Sequence, residues 1–411
     1  MARRGRQAEV RLRAAPDGQG VKTAYEYIVV GCGGVGSAAV YWLSREAGSE
    51  VLGLEQFHLG HDRGGSEDHS RIIRLSYHDP VYTALTPHTY EAWEAVEEES
   101  GIRLVVKTGG LDLESVEDEP KYIDRYAGAM AVAGIAHEEL SAAEVMERFP
   151  QFTLDESVRG VYQADAGLVD AGKGNAVHVA LARARGATVL DEIPVRGVRP
   201  NGEGVEVETD AGTFFARKLV VTSGAWTNRV LGPLGFGIPL TCTQEQVTYF
   251  GTPHLREFAP DRFPVWIWHG GPGYSFYGLP VYGEVASKAG QDAGGDVVTV
   301  DTRTFEPNLR ILKNLRGFLE RYIPRSLGPE IRIKTCLYDM PPDREFVLGT
   351  LPEHPQVCVF CGAGHAFKFA GLVGRILSEL ALEGETRYPI EAFRPNRPAL
   401  TDPDYAPTFA M

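Results

Sequence analysis

Three glycines and a carboxylate carry the most readable chemistry in the chain. Gly31-x-Gly33-x-x-Gly36 directly follows the β-branched and aromatic run Tyr25-Glu26-Tyr27-Ile28-Val29-Val30, and a helical pattern begins at Ser37. Glu55 closes a second apolar run, Val51-Leu52-Gly53-Leu54, 19 residues after Gly36. In that setting Gly31 permits a tight turn, Gly33 lets backbone approach a pyrophosphate, and Gly36 lets helix and strand pack closely. The helix N-terminus faces the phosphates, and the Glu55 carboxylate accepts from ribose hydroxyls. The spacing predicts dinucleotide binding but does not separate FAD from NAD. Two further apolar strands end in small-residue turns, Ser223-Gly224-Ala225-Trp226 and Gly362-Ala363-Gly364-His365. Backbone approaching a ligand at three sequence-distant places suits an extended, buried FAD better than an exchanging nicotinamide.

The elements that must position these residues begin as β-turn-α-β from Tyr25 to Glu55, the opening of a doubly wound sheet. Helices are expected at Tyr82–Ser100, Lys173–Arg185, Asn308–Tyr322 and Phe369–Leu382. Strands are expected at Leu104–Leu113, Leu219-Val220-Val221-Thr222 and Gln356–Phe360. Val205–Thr209 and Thr213–Ala216 read as a hairpin around Asp210-Ala211-Gly212. From Pro239 to Val300 apolar and polar residues alternate, with many aromatics, as in antiparallel sheet. The expected fold class is α/β. A Rossmann-type FAD-binding domain (25–103, 158–236 and 335–411) carries an inserted antiparallel-sheet α+β substrate domain (104–157 and 237–334). A flexible basic arm over 1–24 precedes them.

Composition narrows the partners. Of 411 residues, 43% are hydrophobic and 23% charged, which are globular values. A formal net charge of −14 argues against nucleic acid or an anionic membrane surface as partner. The first 22 residues hold five arginines and one lysine against Glu9 and Asp17, without the apolar core of a signal peptide. The ending Pro407-Thr408-Phe409-Ala410-Met411 is not a peroxisomal or retention signal. Five cysteines without a framework spacing suit a reducing compartment. A soluble, cytoplasmic protein with a small-molecule substrate and no metal is expected, and a monomer is compatible with that reading.

Several longer motifs occur together: Leu54-Glu55-Gln56-Phe57, Gly65-Ser66, Ser70-Arg71-Ile72-Ile73-Arg74, Lys107-Thr108-Gly109-Gly110, Tyr277-Gly278-Leu279-Pro280, Lys334-Thr335-Cys336-Leu337-Tyr338 and Gly364-His365-Ala366-Phe367-Lys368-Phe369. In order and spacing the sequence resembles the monomeric sarcosine oxidase family of flavoprotein amine oxidases. That family includes N-methyltryptophan, L-pipecolate and fructosyl-amino-acid oxidases. The likeness runs from about Tyr25 to about Leu400. It implies that Cys336 carries the flavin through a thioether at the 8α position, with Lys334 as a nearby cation that lowers the thiol pKa. It implies that Arg74 and Lys368 hold the substrate carboxylate, one as a planar fork and one as a compact charge. A buried cation needs an anion, and a ligand carboxylate would serve. Lys288 matches the lysine over the flavin where oxygen reacts, although in isolation it reads as an exposed loop lysine. Ser70 and Arg71 match flavin-ring neighbours, Tyr277 an aromatic pocket residue, and Gly364 and His365 the turn that approaches the flavin. Lys288, Arg71, His365 and Tyr277 are the catalytic candidates, and Lys368 lies beside both flavin and substrate.

The chain also departs from that pattern. It has Glu67-Asp68-His69 where sarcosine oxidases carry His and Gly, and Asp292 where they carry a histidine. Trp266 and Trp268 are expected to approach the pocket. The implied reaction is FAD-dependent oxidation of a secondary or N-substituted (N-methyl or cyclic) α-amino acid by oxygen. Its products are an imine, hydrolysed to aldehyde plus amine, and hydrogen peroxide. The rivals are an amine dehydrogenase that passes electrons to a carrier and a flavin-binding protein without turnover.

Overall fold

The computed structural model describes residues 22–117, 122–270 and 275–407. Most of the arm expected at 1–24, and residues 408–411 of the C-terminal segment, lie outside the described residues. β1 (Ala24–Val30) pairs in parallel with β2 (Val51–Leu54) on one side and with the strand Gly212–Val221 on the other. The helix α1 (Gly34–Ala47) links β1 to β2. Thr188–Leu190 extends the parallel ladder beside β2, and Val357–Cys361 extends it beside Gly212–Val221. The alternation of side chains decides what each strand buries. Val29, Val220 and Cys358 join α1 and the helix Ala370–Leu382 in one core, whereas Ile28, Val30, Leu219 and Val221 join Phe214 and Leu231 in another. With both faces covered, β1 and β2 read as nearly continuous apolar runs.

A second, nine-stranded sheet is built around Thr241–Phe250. That strand pairs antiparallel with Glu330–Met340 and with Ser287–Asp292, and Ser275–Leu279 and Val265–Trp268 follow. Val265–Trp268 pairs in parallel with Gly110–Ser115, beyond which lie Val158–Gln163 and Glu138–Ser141. The expected boundaries at 157/158 and 334/335 therefore do not follow sheet membership: Val158–Gln163 lies wholly in this sheet, and Glu330–Met340 stays in it to its last residue. Alternating hydrophobicity marks a strand but not the sheet it joins.

The single strand expected at Leu104–Leu113 is two, Val105–Lys107 and Gly110–Ser115, in different sheets. Gly109, at φ 73°, turns the chain between them. Val105–Lys107 and Gly167–Val169 join β3 (Arg71–Ile73) in a small third sheet that presents Arg71 to the space between the larger two.

Candidate functional site

A single cavity of about 1540 Å³ runs between the two large sheets. At one end it is lined by Gly31, Gly33, Glu55, Ser223 and Trp226, and at the other by Arg74, Tyr77, Tyr126 and Lys368. The glycine end is a backbone cradle. A Cβ on Gly36 would stand 1.7 Å from the Gly31 carbonyl oxygen, so only glycine permits this turn against this helix. Gly33 caps α1 without any side-chain acceptor, which leaves the first-turn N–H groups to a ligand. Glu55, 4% exposed, accepts from the backbone N–H of Cys32 at 2.9 Å and of Phe57 at 3.1 Å. The volume exceeds the roughly 300–1,000 Å³ of ordinary small-molecule pockets. Cradle, uncapped helix end and buried carboxylate together fit an extended dinucleotide with room for a substrate.

In the middle of the cavity stands Lys288. It lies in the strand Ser287–Asp292 with its side chain only 2% exposed, not on an exposed loop. Its Nζ is 2.6 Å from Asp68 Oδ2 and donates to the Ser70 carbonyl at 2.7 Å. Burial lowers its pKa to about 8, opposed by Asp68 and assisted by Arg71. Asp68 is itself buried. Burial opposes its ionisation, yet Lys288 and Arg71 outweigh that and hold its carboxyl well below the usual range. Arg71 donates to the carbonyls of Ser70 at 3.0 Å and Gly65 at 3.1 Å and to that of Glu67, so it ties the 65–70 loop together.

Cys336 lines the same stretch, and burial pushes its thiol up to about 11. The cations that favour its thiolate are Arg71, Arg303 and Lys288. Lys334 does not serve as expected, because its ammonium is taken by the Glu67 carboxylate. The acids that depart from the family pattern are thus all engaged in ion pairs, Asp68 buried and Glu67 and Asp292 partly exposed. Asp68 and Glu67 pair with the two lysines, and Asp292 accepts from Arg344 Nη2 with both oxygens at 2.9 and 3.0 Å.

At the far end, Arg74 already has a protein anion, Asp112, where the sequence reading offered a ligand carboxylate. Its guanidinium donates to Asp112 and, at 3.4 Å, to the Tyr126 hydroxyl, while Nε is buried without a partner. Asp112 also takes Ser76 Oγ at 2.6 Å and His269 Nε2 at 2.7 Å. Lys368 differs. Its Nζ donates to the Tyr77 hydroxyl at 3.0 Å and the His365 carbonyl at 2.8 Å, and no carboxylate pairs with it among the described residues. Burial lowers its pKa to about 7, and Arg74 pushes the same way. Both ring nitrogens of His365 are engaged, Nδ1 with the Tyr77 hydroxyl at 3.1 Å and Nε2 with the Arg344 carbonyl at 3.2 Å. The carbonyl can only accept, so Nε2 carries the proton and Nδ1 accepts from Tyr77. Burial holds the imidazole neutral, its pKa far below the usual value.

Tyr277, from the strand Ser275–Leu279, forms part of the cavity wall, and Gly364 reaches the cavity against the Tyr338 ring. Trp266 and Trp268 do not approach the pocket. The pleat turns them onto the helix Leu309–Tyr322, where Trp266 stacks on Phe318 with ring centroids 5.6 Å apart and Trp268 packs at a tilt on Tyr322 at 4.3 Å. Ile267 and His269 take the cavity side instead. Sequence reasoning missed Tyr77, Asp112, Tyr126, His269 and Arg344. Only Asp112 left a signal, as a lone acid in the apolar run Gly110-Leu111-Asp112-Leu113.

Parallel sheet, dinucleotide cradle and adjoining chamber define an α/β dinucleotide-binding protein. Residues 26–380 match the family described as FAD dependent oxidoreductase, and the chain belongs to that family. It is similar to the monomeric sarcosine oxidase of Streptomyces avermitilis, 35% identical over 382 residues that cover 91% of this chain and 97% of that one. The human peroxisomal sarcosine oxidase is 32% identical over 390 residues, covering 92% and 97%. Among solved structures, NikD, described as an unusual amino acid oxidase essential for nikkomycin biosynthesis, matches with a TM-score of 0.78. It is 29% identical and is covered to 99%, against 95% of this chain.

Proposed function

We propose that the protein oxidises secondary or N-substituted α-amino acids, N-methyl or cyclic, with oxygen as acceptor. The observation that carries this reading is Lys368, a buried cation without a carboxylate partner among the described residues, in the cavity that begins at the dinucleotide cradle. A substrate carboxylate completes its coordination, and the free Nε of Arg74 offers a second donor. The chain Lys368–Tyr77–His365–Arg344 fixes the direction of every proton in it, so His365 orients Lys368 and does not shuttle protons. Tyr277 and Tyr338 wall the chamber. Bound FAD supplies the two-electron acceptor for the amine carbon and the donor to oxygen, so that amine plus oxygen gives imine plus hydrogen peroxide. Lys288 places an ammonium beside the site where oxygen gains negative charge. Cys336 is the proposed covalent tether, with Arg71 and Arg303 stabilising the thiolate that the attachment requires. None of the five cysteines is paired in a disulfide, which suits the proposed cytoplasmic location.

The test is aerobic incubation of the holoenzyme with a panel of N-methyl and cyclic amino acids while peroxide is read. One peroxide per aldehyde or cyclic imine supports the proposal. Anaerobic bleaching of the flavin without aerobic peroxide would mark a carrier-linked dehydrogenase. No bleaching by any member would remove the enzymatic reading.

A further inference from the structure

Asp68 is unusual twice over, and both features converge on Lys288. Its backbone sits at φ 110°, a conformation that L side chains rarely adopt. Such outliers persist where surrounding interactions over-determine them. Here the carboxylate is held on both oxygens. Oδ1 accepts from the Tyr249 hydroxyl at 2.6 Å, and Oδ2 stands 2.6 Å from Lys288 Nζ in an ion pair that lies off the hydrogen-bond direction. The Asp68 carbonyl, in turn, accepts from the Gly172 N–H at 3.1 Å.

Other charged and titratable groups face Lys288 from each neighbouring element. Arg71 comes from β3, Tyr249 from the strand Thr241–Phe250, and Cys336 from Glu330–Met340. Lys334 also points at Asp68, at 3.5 Å, but its own carboxylate is Glu67. Among the described residues Asp68 is thus the single carboxylate paired with Lys288, in a cluster that otherwise brings Arg71 against it. A buried ammonium facing a guanidinium without that carboxylate would shed its proton.

We propose that Asp68 is a positioning residue that keeps Lys288 in its ammonium form and aimed into the cavity, so that the oxygen half-reaction runs at neutral pH. This rests on the oxygen-side role proposed for Lys288. Two variants remove the charge in different ways: Asp68→Asn keeps the shape, and Asp68→Gly suits the positive φ, so a backbone effect would separate them. The readout is the titration of Lys288 in holoenzyme carrying 13Cε-labelled lysine, with Lys288→Met to assign its resonance. The oxygen half-reaction is followed over the same pH range.

In the unmodified protein the resonance should titrate near pH 8. In both variants the midpoint should fall by at least about one pH unit, the size of shift that loss of one close opposite charge produces. The oxygen half-reaction should then fail at correspondingly lower pH, about tenfold per unit above the new midpoint, while anaerobic reduction by substrate stays within a few-fold. An unmoved midpoint in both variants overturns the proposal even if Lys288→Met loses its oxygen reaction. A shifted midpoint with Lys288→Met reacting with oxygen at the normal rate overturns it through Lys288 instead of through Asp68.

Discussion

At the scale of single residues, the proposed carboxylate receptor Lys368 would tie protonation to binding. Its pKa of about 7 belongs to the ligand-free chamber, where burial disfavours the ammonium. A carboxylate bound beside it favours the ammonium and raises that pKa. Affinity is therefore full below pH 7 and declines above it, until the pKa of the complex is reached. A monocarboxylic acid lacking an ionisable amine should bind about tenfold more weakly per pH unit above 7, and binding there should take up a proton. Calorimetry in buffers of different ionisation enthalpy reads both quantities, and a pH-independent constant would show that Lys368 is not the receptor. Cys336 gives a second prediction. Flavin should precipitate with the acid-denatured protein, and Cys336→Ser should release it to the supernatant. Yellow supernatant from the unmodified protein would remove the tether.

At the scale of elements, what could be read in the sequence was whatever repeats over short range. The β1–turn–α1–β2 unit and its glycines were legible because their periodicities and small residues lie within one stretch of chain. The orientation of Val265–Trp268 was not. Large aromatic rings on a strand fit a pocket wall and a buried helix contact equally well, and only the pleat against Gly110–Ser115 decides between them. The same limit hid Tyr77 and His269, whose partners arrive from sequence positions far away. Trp268 packs on Tyr322 outside the chamber, so Trp268→Ala should cost about 3–5 kcal/mol of stability while leaving carboxylate affinity unchanged. Denaturant unfolding with a binding isotherm on the same sample checks this, and a lost affinity with intact stability would return the ring to the pocket.

At the scale of the whole molecule, function sits where two sheets from interleaved stretches of chain face each other. The protein carries a net charge of −14, yet at this end of the cavity Arg74 and Arg344 are paired with Asp112 and Asp292, while Lys368 has no carboxylate paired with it among the described residues. That local balance suits a monocarboxylate with a neutral amine. Among the described residues no helix is long and apolar enough to cross a membrane. In the proposed function the chemistry divides along the same cavity, with substrate at Lys368 and oxygen at Lys288, so the two half-reactions should be separable by mutation. Stopped-flow traces of Lys288→Met holoenzyme measure both. Anaerobic bleaching by substrate should stay within a few-fold of the unmodified enzyme, while recovery of flavin absorbance in oxygen should slow by ~10²–10³, the usual effect of losing one preorganised charge. Recovery in oxygen at the unmodified rate would contradict the account.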